Sequence, residues 1–308
     1  MALAAPTLPQ SARCSRFFQV LEAWHLLSLD APTVAGLWAW SFARAVHLHL
    51  PWSAPLLLAL GTWLIYVADR ILDGFRADAA SLRPRHHFYA RHWSAFVAMA
   101  VAGGTVLLWL IVERMNPRAR REDTFLFLAA LLYFLLIHLP LHRLPLHRME
   151  RWLPKEMAVG ILFSAATAVP AWSRLSIEGS VGSRALLPSV FAFAVLCWLN
   201  CVAIEAWEDF AFFIPGHNGG SIRANLTTRY AGTHLPVFAS LLVVVAVMLG
   251  LATWANTRSL AALDFAIAAS SILLALLDGQ RYRISPMGLR IAADAVLLTP
   301  VLVIPLLW

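Results

Sequence analysis

Long apolar runs, separated by short polar connections rich in arginine, proline and glycine, make up most of the chain. A helix needs about 20 mostly apolar residues to cross a bilayer. By that measure the pattern predicts nine spans, at roughly 29–49, 53–73, 94–112, 124–140, 156–173, 186–206, 234–254, 259–278 and 288–308. The breaks hold Pro84, Pro117, Pro145, Pro154, Gly216, Gly219, Gly220 and Pro286, residue types that end helices or turn the chain. No stretch suits a separate soluble domain, so residues 1–308 are expected to form a single polytopic domain. Its fold class is expected to be an all-α integral membrane protein. About the first 20 residues are expected to be flexible and cytoplasmic, and they lack the apolar run of a cleavable signal peptide.

Composition agrees with the pattern. Of 308 residues, 60% are hydrophobic and only 13% charged, with a mean hydropathy of +0.69, well beyond a soluble domain of this size. The net charge of +7 comes almost wholly from arginine, with Lys155 as the one lysine. With charges this sparse, the basic excess reads as membrane topology and no nucleic-acid partner is expected. Loops kept in the cytoplasm hold more Lys and Arg. Alternating the nine spans puts sixteen basic residues on the side of the N-terminus and eight on the other. The N-terminus is therefore expected inside a cytoplasmic (inner) membrane. Cys14, Cys197 and Cys201 make no disulfide framework and read as small thiols.

The acids are unevenly placed. The second span ends YVADRILDGFRAD, with Asp69 and Asp73 at i and i+4; the sixth ends LNCVAIEAWEDF, with Glu205 and Asp209 at the same spacing and Glu208 between them. An i,i+4 pair shares one helical face, about 6 Å apart at Cβ. The same 136-residue offset separates Asp69 from Glu205 and Asp73 from Asp209. Two related halves of one bundle, each presenting a carboxylate pair at the cytoplasmic face of a central cavity, would produce that repetition. Like charges so close repel, and a hard divalent ion such as Mg²⁺, shared between carboxylates and a substrate phosphate, is the simplest remedy. Solvated acids at helix ends, with Asp69 paired to Arg70 or Arg76, are the plainer alternative.

At these residues the chain resembles the UbiA superfamily of intramembrane prenyltransferases. Ala68-Asp69-Arg70 and Asp73 match the later part of that family's first acidic motif, and Glu205-Ala206-Trp207-Glu208-Asp209 matches its second. Ile65 and Tyr66 stand where the family opens with Asn and Asp. His138-Leu139-Pro140-Leu141-His142, followed by Arg143, stands where it has Y-x-x-x-K, and Glu205 stands for the usual Asp. The resemblance implies Mg²⁺-dependent transfer of an isoprenoid group from a prenyl diphosphate to an aromatic or other lipophilic acceptor. Asp69, Asp73, Glu205 and Asp209 would be the catalytic metal ligands, with Glu208 as a possible substitute. Arg143, Lys155, Arg70, Arg76 and Arg223 would be contacts to the diphosphate. Asn200, on the face leading to Glu205, would bind substrate or serve as packing glue between helices.

Two other classes stay open: a non-catalytic relative that binds lipid or assists assembly, and an ion-coupled transporter, which also uses inward-facing acids. Trp63, Trp198 and Trp207 are candidates to line a chamber, while most other tryptophans fall near span ends, as in interfacial belts. Arg290 and Asp294, four apart in the last span, are expected to satisfy each other; Asp264 and Asp278 have no evident partner in the sequence.

Overall fold

The computed structural model describes residues 12–76, 84–115, 117–138, 154–175, 182–212 and 225–306. Among them the chain is helical, with short connections and no strand. The helices are α1 (Ala12–Leu26), α2 (Asp30–Ala45), α3 (Ser53–Arg76), α4 (Pro84–Arg91), α5 (Trp93–Arg114), α6 (Pro117–His138) and α7 (Lys155–Leu175). They continue as α8 (Gly182–Phe212), α9 (Leu226–Thr233), α10 (Leu235–Trp254), α11 (Arg258–Gly279) and α12 (Pro286–Ala295), which runs into a 3₁₀ segment, Val296–Leu306.

Seven of these segments are long and apolar enough to cross a membrane: α3, α5, α7, α8, α10, α11, and α12 with its 3₁₀ continuation. The protein is a multi-pass membrane protein. Two predicted spans fall short of that measure. The first is α2, only 16 residues long, or about 24 Å. The other lies within α6, which opens PRARREDT and becomes apolar only afterwards.

Burial follows the logic of a lipid solvent. Of the 22 residues of α5, only Phe96 and Leu110 are buried, although the helix is apolar throughout. In α10 the apolar Leu241, Val244, Val245 and Met248 are likewise exposed. Such surfaces are tolerable where the surroundings are hydrocarbon. The short α2 is the opposite: Val34, Ala35, Trp38, Ala39, Phe42 and Ala43 are all buried. Trp38 stacks on Phe193 of α8 at 3.9 Å between ring centroids, and its indole Nε1 donates to the carbonyl of Leu297 at 2.8 Å. One side chain thus ties α2 to α8 and to the 3₁₀ segment.

The 3₁₀ segment has a local cause. Pro300 has no N–H to return to the carbonyl of Val296. That carbonyl accepts instead from Ser270 Oγ on α11, at 2.7 Å. Thr299 Oγ1 lies 2.6 Å from Ser270 Oγ and donates to the carbonyl of Ala266 at 2.8 Å. Ser270 on α11 thereby takes up a carbonyl that a regular helix would have satisfied itself, and Thr299 bonds back onto α11.

Close approach elsewhere depends on small residues, as is usual where helices pack in lipid. A Cβ added at Gly160 of α7 would lie 2.8 Å from the Trp198 amide nitrogen and 3.0 Å from the Ala194 carbonyl oxygen of α8. Both neighbours are backbone and cannot swing aside. Gly160→Val is therefore expected to cost about 1–3 kcal/mol, the usual range for overpacking, and to lower the thermal unfolding midpoint in detergent. Gly61→Ala, at a position with nothing within 4 Å of the new Cβ, should leave the midpoint close to that of the unaltered protein.

Candidate functional site

Polar side chains gather at one end of the bundle, where α2, α7 and α12 begin and α3, α8 and α11 finish. Lys155, the first residue of α7, reaches Glu205 Oε1 on α8 at 3.3 Å and Glu156 Oε1 at 3.6 Å. Glu156 Oε2 accepts from Thr228 Oγ1 of α9 at 2.7 Å. Arg290 of α12 donates to Glu208 Oε1 of α8 at 2.7 Å, with both side chains largely buried. Asp278, at the end of α11, accepts from Trp207 Nε1 at 2.9 Å and from Arg281 at 3.1 Å.

A second group lies against the first. His25, near the end of α1, brings Nδ1 within 2.7 Å of Asp30 Oδ2 and 3.9 Å of Asp294 Oδ2. Burial pushes the His25 imidazole below its ordinary range, against the pull of the Asp30 carboxylate, so the neutral ring is favoured. Arg70 of α3 is buried, donates a long bond to the carbonyl of His25 at 3.4 Å, and lies 5.7 Å over the ring of Tyr89. The Tyr89 hydroxyl is shared with Ser28 at 2.7 Å. Tyr66 of α3 is within electrostatic reach of Cys201 on α8 and of Asp30, Asp294 and Arg290. The ends of α3 and α8, which carry the two acidic motifs, therefore border one polar region.

Among the predicted site residues, Asp69 is half-buried in the last turns of α3, whereas the Asp73 and Arg76 side chains, on the same helix, lie outside the described ones. Glu205 is half-buried and paired with Lys155; expected as a metal ligand and a diphosphate contact, the two meet each other directly. Glu208 carries Arg290. The Asp209 side chain, and Arg143 and Arg223 altogether, lie outside the described residues. Asn200 is buried, with Oδ1 lacking a hydrogen-bond partner among the described residues. Of the candidate chamber tryptophans, Trp63 donates to the carbonyl of Leu27 at 3.0 Å and Trp207 serves Asp278. Trp198 Nε1 is buried without a hydrogen-bond partner among the described residues.

The pairing expected inside the last span is revised: the hydrogen bond of Arg290 goes to Glu208 across the helix interface. Asp294 stays within electrostatic reach of Arg290 but turns toward His25 and Asp30. Sequence reasoning also missed His25, Asp30 and Glu156. A faint signal existed for Asp30, an acid at the very start of an apolar run, where the positive end of a helix supports it. None existed for their meeting.

Among the described residues, one group brings three possible metal ligands together: single atoms of His25, Asp30 and Asp294 lie within 4.8 Å of one another. Asp69, Glu205 and Glu208 form no such group there; their oxygens suit a hard divalent ion, and a metal ion on Glu205 would compete with Lys155.

Arg290→Gln would leave the Glu208 carboxylate buried without its guanidinium. Breaking a buried pair on one side typically costs about 3–5 kcal/mol, so this substitution should strongly lower the thermal midpoint. Adding Glu208→Gln should recover much of the loss. Compared with family models, curated proteins and solved structures, the chain matches none.

Proposed function

We propose that the chain is a Mg²⁺-dependent membrane prenyltransferase, with nine spans arranged as two related halves around an apolar cavity and its acidic helix ends on the cytoplasmic face of the inner membrane. The observation that carries this reading is that the ends of α3 and α8, 136 residues apart in register, border the same buried polar region. Asp69 and Glu205, with Asp73 and Asp209 of the same motifs, would hold the ion. Bound Mg²⁺ would supply positive charge to the diphosphate as it departs.

The remaining work belongs to the chain. In this reading the C–O bond of the prenyl diphosphate breaks, its electrons leave with the diphosphate, and the lipophilic acceptor attacks the allylic carbon and gives up the displaced proton to the released diphosphate. Lys155, half-exposed beside Glu205, is suited to supply charge to a leaving oxygen, and preorganised charge of this kind lowers the barrier. An apolar chamber bordered by α7, α8 and α11 would exclude water from the allylic cation. Asn200 and Trp198, each with a polar atom left over by the described residues, are suited to orient the acceptor.

A second reading, a non-catalytic lipid-binding or assembly protein, is favoured by one feature: Glu205 and Glu208 already carry cations of the protein, which lessens the need for a metal ion. The two readings separate in one experiment on the purified protein in lipid nanodiscs, using Mg²⁺ and farnesyl or geranylgeranyl diphosphate as probes. The prenyltransferase reading expects binding and slow diphosphate release, reduced at least about 100-fold by either Asp73→Asn or Asp209→Asn, a loss of the order seen when a group stabilising transition-state charge is removed. No Mg²⁺-dependent binding of either diphosphate, or full activity in both variants, would reject it.

A further inference from the structure

The prenyl-transfer reading gives no role to one buried cluster, formed by His25, Asp30 and Asp294 from α1, α2 and α12. His25 and Asp30 are 0% and 2% exposed, and the Asp294 side chain 17%. One carboxylate oxygen of each of Asp30 and Asp294 lies within 4.8 Å of the other and of a His25 ring nitrogen. Two buried carboxylates held this close repel, and one proton kept between them relieves the repulsion. Asp30 is the better anion of the two. It is the first residue of α2, at the positive end of the helix; its Oδ1 accepts the Ala31 N–H at 3.0 Å and its Oδ2 faces His25 Nδ1 at 2.7 Å. The proton therefore resides mainly on Asp294.

Charge balance separates a proton from a metal ion. Arg290 is matched by Glu208 at 2.7 Å. Among the described residues, what remains in the cluster is two carboxylates, Asp30 and Asp294, against one guanidinium, Arg70, which is 3% exposed. A single added positive charge neutralises the set. A divalent ion would overshoot, next to an arginine whose Nη2 already lacks a hydrogen-bond partner among the described residues, and uncompensated buried charge is costly. The other titratable groups facing the cluster among the described residues are Tyr66 of α3, Tyr89 of α4 and Cys201 of α8, all neutral at physiological pH. From α11, Asp278 is turned away to Trp207 and Arg281.

The route for that proton is also present. With Nδ1–H given to Asp30, the Nε2 lone pair of His25 is an acceptor, and it is buried with no partner among the described residues. We propose that Asp30 and Asp294 share one exchangeable proton and that His25 relays it, so that the three side chains form a buried acid–base site at the polar end of the bundle. The site serves proton transfer to or from a group bound among the helices, and it stands independently of the prenyl-transfer reading.

Infrared spectroscopy of the full chain in vesicles of phosphatidylglycerol and phosphatidylcholine tests this, in the unaltered protein and in an Asp264→Asn background that removes another buried acid, one whose two oxygens lack a hydrogen-bond partner among the described residues. The expected result at neutral pH is a protonated-carboxyl carbonyl band that shifts in D₂O. It should vanish in Asp294→Asn and also in Asp30→Asn, since either change leaves one carboxylate that Arg70 can balance unaided. His25→Gln should keep the band but slow its exchange with D₂O at least about tenfold. Asp294→Glu, retaining both acids, should keep it as well, guarding against a loss caused by misfolding. Absence of the band in the unaltered protein, its survival in folded Asp30→Asn, or one equivalent of bound transition metal in elemental analysis that disappears in Asp294→Asn would each overturn the proposal.

Discussion

The ion pair between Arg290 and Glu208, 2.7 Å long and largely buried, is the contact on which the arrangement of the polar end depends. It joins the start of α12 to the end of α8. Because a charge in hydrocarbon must be met inside the protein, it also determines what the neighbouring acids can do. With Arg290 engaged there, Asp294 turns to His25 and Asp30, and this draws α1 and the start of α2 onto the same face. Arg70 then completes the group from α3. A sparse set of charges, each obliged to find an internal partner, thus holds five helices in register where apolar packing alone would specify little.

Apolar contacts divide the labour differently. Between lipid-facing helices such as α5 and α10 there is no hydrophobic gain from hiding a leucine, so their side chains stay outside. Specific approach is left to small residues and hydroxyls. Gly160 lets α7 meet the backbone of α8, Ser270 takes the Val296 carbonyl released by Pro300, and Thr299 bonds back onto α11 at Ala266. The helix most deeply enclosed is the short α2, where Trp38 and Phe42 pack against Phe193. It holds Asp30 at its end because the rest of it cannot move without disturbing that stack.

Much of this was legible in the chain as written. Apolar runs near the length of a bilayer crossing identified the class of protein and nearly all the long helices. The repeated spacing of Asp69, Asp73, Glu205 and Asp209 pointed to the end of the bundle where polar groups collect. Periodicity was less informative for α2, whose 16 residues look like a lipid-facing span but form an interior helix, and for the last span, which prolines convert to 3₁₀ geometry. Hydropathy measures how apolar a segment is, and it is silent on whether lipid or protein surrounds it.

Pairing was the least legible property. Arg290 and Asp294 share a helical face by sequence, and Lys155 stands 50 residues from the carboxylate it meets. By itself the sequence determined that the chain lives in a membrane, where its helices run, and which acids lie at their ends, because these are local consequences of length, hydropathy and helical period. Only the tertiary structure decided that Arg290 would hold Glu208, that Lys155 would hold Glu205, and that His25, Asp30 and Asp294 would meet. Which charge answers which depends on helix packing, through small residues and aromatic stacks distant in sequence, and in a medium without water each buried charge has to be answered by whichever group that packing brings within reach.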